Sequence, residues 1–272
     1  MIPGWLCEPR AGSLLLIVVI GLSTTVYSSS LARSEACVLS SQHAGVAFPV
    51  EQIGAHWACR LQPIISQYTT ANKLGPLRTP LPEAVYFYLL DRPPMTATLV
   101  NRLNLGSYRA EMRGPGRYWG NDDEGTEGTA ELVYQDHTTR VYYLEGSHDS
   151  RFLPHITGKA VVLLRMHPVK DSNGVEAMDS TVVSYTKLDN RLLAGFVSLL
   201  RPLTGNAMMQ KLTKGVDTVN HLSHVMRQQS DRVVSEATKP PGLSSDEVAF
   251  LKRAMENFTH SGGATHPKTT SP

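Results

Sequence analysis

The side chains best suited to chemistry crowd into one stretch: Glu145, Ser147, His148, Asp149, His155 and His167. Imidazoles beside carboxylates can serve as general acids and bases or hold a metal ion. Spacing argues against both uses. Ser147-His148-Asp149 are consecutive, and a nucleophile–base–acid triad is defined by spatial geometry, not by adjacency, so the segment reads as a loop with surface histidines. The chain has no HExxH motif and no CxxC pair, so no metal site is expected. Gly114-x-Gly116 lacks the rest of a dinucleotide fingerprint and sits between expected strands. No catalytic residue and no cofactor is assigned. Arg165 and His167 leave two readings open. On a solvated outer face they are ordinary surface residues, whereas turned inward they could hold a carboxylate or phosphate head group.

Three cysteines are present, Cys7, Cys37 and Cys59. Cys7 precedes an apolar run, Ser13 to Leu22, which is short for a bilayer span. Arg10 before that run and small residues at Ser34 and Ala36 after it fit a signal peptide over residues 1–36, cut after Ala36. The alternatives are an uncleaved anchor or a lipoprotein beginning at Cys37. Export to a periplasm or beyond the cell is therefore expected. In an oxidising compartment Cys37 and Cys59 could form a disulfide. Closing a loop of that length would stabilise the fold by roughly 3 kcal/mol. Two unpaired thiols are the other reading.

Charged residues make up 18% of the 272 and the formal net charge is +2. That balance gives no electrostatic reason for a nucleic-acid partner. Residues 37–81 read as an N-terminal helical extension broken at Pro63, with LGPLRTPLP as a linker. PEAVYFYLLDR and PMTATLVNRLNLG read as two short helices, and Pro82 with Glu83 suits a first turn. After Ser107 the period changes to two. YRAEMRGPGRYW, ELVYQDHTTRVYYLEG and KAVVLLRMHPVKDSNGVEAMDSTVVSYTKL each predict a hairpin, with NDDEGTEGTA as a polar loop. Five or six antiparallel strands without crossover helices exclude a doubly wound parallel sheet.

The segment from Arg191 to about Ser235 is the longest helical pattern in the chain. Pro202 should divide it. Beyond that break Met209, Leu212, Val216, Val219, Leu222 and Met226 form one apolar stripe on a helix of ~30 residues, ~45 Å long. Residues 237–272 read as a proline linker, a short helix capped by Ser244 and Glu247, and a low-complexity tail. Alternation places Val162, Leu164 and Met166 on the inward face of their strand, with Leu132, Tyr134, Tyr142 and Leu144 as partners on the neighbouring hairpin.

A strand, a short apolar helix, a proline and then a long helix follow one another in VVSYTKLDNRLLAGFVSLLRPLTGNAMMQKLTKGV. This order resembles the last strand and closing helix of the START-like, or helix-grip (SRPBCC-type), superfamily, and within it an exported bacterial subgroup. The resemblance covers roughly residues 82–236. It implies an α+β fold, a curved antiparallel sheet wrapped around a long C-terminal helix, here with extra N-terminal helices. It also implies an interior cavity for a lipid or other hydrophobic small molecule. Leu132, Tyr134, Tyr142, Leu144, Val162, Leu164, Met166, Met209, Leu212 and Val216 are the expected lining. A binding protein is the leading reading, with membrane-surface contact open to it. The alternatives are a cyclase or hydrolase of the same fold acting on an apolar substrate, and an envelope interaction protein with a collapsed cavity.

Overall fold

The period of two between Arg109 and Leu188 becomes six consecutive antiparallel strands. The computed structural model describes residues 37–149, 155–172, 174–189 and 197–262, the side chains of 197–208 and 259–262 excepted. The expected signal segment, its cleavage point and the end of the tail lie outside the described residues. Two short paired strands, β1 (Gln42–His43) and β2 (Val46–Ala47), precede helix α1 (Ala55–Ser66). Strand β3 (Thr70–Thr79), helices α2 (Glu83–Leu90) and α3 (Pro93–Arg102), and strands β4 (Arg109–Gly114) and β5 (Arg117–Asn121) follow. Strands β6 (Thr126–Gln135), β7 (Thr139–His148), β8 (Ile156–Lys170) and β9 (Glu176–Leu188) complete the meander. Helices α4 (Val197–Gln228), α5 (Ser230–Thr238) and α6 (Ser245–Gly262) close the described chain.

The main sheet has the order β3-β9-β8-β7-β6-β5-β4, antiparallel throughout. Its first strand in sequence pairs with its last, and α2 and α3 fill the connection from β3 to β4. Two apolar layers cover its faces. On the outer face Val141, Tyr143, Val161, Leu163 and Val183 pack against α1 and the segment before it, through Leu61, Ile64, Phe48 and Ile53. On the inner face Leu164, Met166 and Met178 pack against α2 through Tyr86, Phe87 and Leu90. The α2, α3 and α4–α6 helices share a core of their own, built on Leu81, Val85, Leu99, Leu222, Met226, Leu251 and Met255.

Several sequence expectations need correction. LGPLRTPLP is not a linker, because Leu74 to Thr79 belongs to β3. Proline is tolerated there because β3 is an edge strand, and Pro76 sits where the register with β9 shifts between Leu74 and Leu77. Pro63 does not stop α1. It stands near the helix end, where only one backbone bond is lost, and the buried Leu61 and Ile64 on either side hold the turn. Thr126 to Ala130 belongs to β6, so the expected polar loop shrinks to Asp122–Gly125. Pro202 does not divide the long helix: α4 runs without interruption from Val197. As the sixth residue of α4, Pro202 forfeits the single backbone bond its N–H would have made to the residue 198 carbonyl, and the bonds on either side carry the helix past it. The helical run ends instead at Gln229, whose φ of −134° separates α4 from α5.

Other expectations hold at the level of elements. Ser244 and Glu247 form a reciprocal capping box, with N–H to carboxylate at 2.9 Å and N–H to hydroxyl at 3.3 Å. Helix α6 docks back on the domain through Leu251, Met255 and Phe258, and Phe250 stacks on Tyr88 at 3.5 Å.

Cys37 and Cys59 are joined in a disulfide that ties the segment before β1 to α1, the helix covering the outer face. Closing a loop of 22 residues restricts the unfolded chain. Replacing Cys37 and Cys59 together by serine should therefore lower unfolding free energy by roughly 2–4 kcal/mol. Urea titration of the oxidised protein against the double variant measures this, and a difference below about 0.5 kcal/mol would mean that the crosslink contributes nothing to the fold.

Candidate ligand site between the sheet and helix α4

Strand β9 shows how the two faces divide. Met178 and Ser180 face α2, the latter through a 2.9 Å hydrogen bond with the Tyr86 hydroxyl, whereas Val183 and Tyr185 pack on the α1 side. Alternation and an unshifted β8–β9 register therefore put Val182, Ser184 and Thr186 on the inner face. Registers across the sheet extend this into rows. One row runs Leu132, Tyr142, Val162, Ser184 and Asn72. The next runs Tyr118, Ala130, Leu144, Ala160, Thr186 and Thr70. A third consists of Gly120, Gly128, Gly146 and Gly158, with no side chain in four successive strands.

The glycine row permits a bend. A Cβ on Gly128 would lie 2.6 Å from the Glu145 carbonyl oxygen, and one on Gly146 would lie 2.4 Å from that of Glu127. Only residues without Cβ allow backbones so close. The bend brings both sides of the sheet to α4. Thr79, on edge strand β3, donates its hydroxyl to Asn220 Oδ1 at 2.9 Å. From the far side the Asp122–Gly125 loop reaches Lys211, whose Nζ donates to Asp122 Oδ2 and Glu124 Oε2, each at 2.6 Å, and Lys214 Nζ donates to Glu124 Oε1. Between those contacts the facing positions of sheet and helix are mainly apolar. Leu132, Tyr142, Leu144, Val162 and Val182 on the sheet are only half-buried, as are Met209, Leu212, Val216 and Val219 on α4. On the outer face Val141, Val161, Leu163 and Val183 are at most 2% exposed.

The structure sorts the expected lining accordingly. Leu132, Tyr142, Leu144 and Val162 lie together on the inner face, and Met209, Leu212 and Val216 share the α4 stripe with the fully buried Leu222 and Met226. Leu164 and Met166 are on the same sheet face but are sealed under α2. Tyr134 does not belong to the set. A register shift between Leu132 and Tyr134 pairs Tyr134 with Val141 and turns it to the outer face. Because strand side chains alternate, one inserted residue reverses the sidedness of everything beyond it. Arg165 and His167 are also on the outer face, Arg165 bonded to the Thr139 hydroxyl at 2.5 Å and His167 beside the Arg78–Asp179 ion pair.

Polar residues absent from the sequence reading stand on the inner face. Arg140 is 5% exposed and donates from Nη1 to Asp91 Oδ1 at 2.5 Å, at the end of α2. Burial pushes the Tyr142 hydroxyl above its ordinary pKa and Arg140 opposes this; the phenol is therefore neutral at physiological pH. At the β3–β9 side, Thr70 Oγ1, Asn72 Nδ2, Ser184 Oγ and Thr186 Oγ1 are shielded from solvent and have no hydrogen-bond partner. Leaving a buried polar atom unpaired costs about 1–3 kcal/mol. The phase of Ser180, Ser184 and Thr186 with Met178 and Val182 in β9 was the available signal. The histidines form no joint site: His148 meets Thr126 Oγ1 at 3.0 Å, His155 meets Asp149 Oδ1 at 2.7 Å, and His167 lies ~36 Å further along β8. Among the described residues no group of three His, Cys, Asp or Glu side chains could hold a metal ion.

No protein-family model matches the chain, and no curated protein matches it either. Solved structures do resemble it. A conserved protein from Geobacillus kaustophilus aligns at 10% identity and a TM-score of 0.41, covering 57% of this chain and 95% of its own. An uncharacterized protein from Rhizobium leguminosarum aligns at 14% identity and a TM-score of 0.36, covering 57% and 97%. Ara h 8.0201 aligns at 15% and 0.34, covering 57% and 98%. At such scores none of the three bears on function.

Asp122 reports on the loop that holds α4. Burial alone would raise its pKa, but the Lys211 ammonium and the amides of Thr126 and Glu124 outweigh burial and lower it from 3.8 to about 2. A depressed carboxylate stabilises the fold above its unfolded pKa, and that contribution disappears as pH falls toward the folded value. Asp122→Asn should therefore cost about 1–2 kcal/mol at pH 7, allowing for the part-exposed lysine, and progressively less between about pH 4 and pH 2. Denaturant titrations of both proteins across that range measure it. A difference that does not change with pH would show that the ion pair does not fasten the loop. The strand–two-helix–six-strand–long-helix order, with β3 paired to β9 and α4 held from both sides, is that of the helix-grip fold.

Proposed function

We propose that the protein binds a hydrophobic small molecule or lipid-like compound between the inner face of its sheet and α4, as an exported binding protein of the START-like class. The observation that carries this reading is the contrast in burial between the two sheet faces. Core packing in proteins is dense, and valine or leucine facing a helix is ordinarily sealed by it. Here Val141, Val161, Leu163 and Val183 of the outer face are sealed under a short helix, while Leu144 and Val162 on the face toward α4 remain partly accessible. Rows of glycine and alanine beside them withhold the side chains that would fill the space. Apolar, partly open interiors with few polar groups are the ordinary form of small-molecule sites. The N-terminal apolar segment and the disulfide support export, since disulfides persist in oxidising compartments.

Leu144→Trp tests the reading. An open interior accommodates the larger ring, so unfolding free energy should stay within about 0.5 kcal/mol of wild type. Affinity for the neutral apolar fluorophore N-phenyl-1-naphthylamine should fall by about tenfold or more, as the ring occupies its place. A filled interior would respond differently: overpacking would destabilise the variant by about 1–3 kcal/mol, and wild type would not bind the dye.

A further inference from the structure

Thr70, Asn72, Ser184 and Thr186 form a compact square on the inner face, because Thr70 stands opposite Thr186 and Asn72 opposite Ser184 in the β3–β9 register. Exposures of 8% for Thr70, 2% for Ser184 and 5% for Thr186 place three of them deep in the fold. None of the four named polar atoms in this square has a partner. Polar side chains arranged for their own stability would be expected to bond across so short a gap, as Thr79 bonds Asn220 and Ser180 bonds Tyr86 elsewhere on the same face. The square also adjoins Ala160, Val162 and the glycine row, where the sheet withholds side-chain volume.

We infer that this square receives the uncharged hydrogen-bonding end, a hydroxyl or carbonyl, of an otherwise apolar ligand. The inference rests on the interior being a ligand site as proposed above. Three hydroxyls can donate or accept, and the Asn72 amide nitrogen donates, so together they satisfy either group. They do not suit a carboxylate or phosphate. A buried anion needs a cation, and the inner-face positions around the square, Leu74, Ala160, Val162 and Val182, are neutral. The neighbouring lysines point away: Lys73 bonds the Ala44 carbonyl at 2.9 Å and Lys187 bonds Gln67 Oε1 at 2.8 Å. Arg140 is two strands over and two to four residues along, roughly 12–16 Å distant by strand geometry, and is engaged with Asp91.

The experiment compares 1-decanol, decanoate at pH 8 and N-phenyl-1-naphthylamine, by calorimetry or dye displacement, on wild type and on the Ser184→Ala/Thr186→Val double variant. Wild type should bind decanol at least about tenfold more tightly than decanoate. The double variant should lose about tenfold in decanol affinity and keep its affinity for the dye. Its thermal midpoint should equal or exceed that of wild type, because two unpaired hydroxyls have been replaced by apolar groups of similar shape. Decanoate binding as well as decanol, an unchanged decanol affinity in the variant, or a midpoint several degrees lower would each overturn the polar subsite while leaving the apolar interior intact. Failure of the dye to bind wild type would remove the interior reading and the subsite with it.

Discussion

The fold depends on one helix being held from two sides of a single sheet. Asn220 of α4 meets Thr79 on edge strand β3, and Lys211, nine residues earlier, meets Asp122 and Glu124 beside β5. Five strand spacings separate β3 from β5 in the sheet order, ~24 Å if the sheet were flat. A helix is about 10–12 Å across with its side chains. A curved sheet brings both contacts within reach of one helix. The bend is available because Gly128 and Gly146 face each other where any Cβ would collide with backbone. Arg227, bonded to the Pro80 and Glu176 carbonyls at 2.5 and 3.0 Å, fastens the other end of α4 to the same side of the sheet as Thr79.

That constraint divides the molecule into a finished face and an unfinished one. The outer face is covered by α1, which the Cys37–Cys59 disulfide anchors, and its Val141, Val161, Leu163 and Val183 are sealed. The inner face is sealed where α2 lies, over Leu164, Met166 and Met178, and at the β3–β9 side, where Thr70, Ser184 and Thr186 are buried. Beyond α2 it offers half-buried Leu132, Leu144 and Val162, an Arg140–Asp91 pair at one end, and four unpaired polar atoms at the β3–β9 side. Stability alone would favour filling the first and pairing the last. The proposed ligand site rests on these two departures.

Much of this was legible in the sequence because it followed from local chemistry. The β8–β9 hairpin, the α6 capping box and the stripe on α4 each depend on residues close together in the chain. Other features depended on partners remote in sequence. Strand β3 carries Gly75 and Pro76, which argue against a strand, and it forms because β9 lies beside it. Tyr134 alternates correctly with Leu132 by count, yet a shift against β7 turns it to the opposite face. Arg140 directly follows the β6–β7 turn, and only packing brings Asp91 to it.

The α+β class, the antiparallel meander and the long closing helix could be read from the chain alone, because hydrophobic period and turn residues act over a few positions. The same holds for which residues on β7 and β8 share a face with Leu132, since no bulge interrupts those strands. Folding was needed for both sides of the sheet to reach α4, for glycines from four strands to fall in one row, and for Thr70, Asn72, Ser184 and Thr186 to form one square. These are matters of register between strands as far as 116 positions apart, such as Thr70 and Thr186. No pattern within either strand encodes such a register until the chain has closed upon itself.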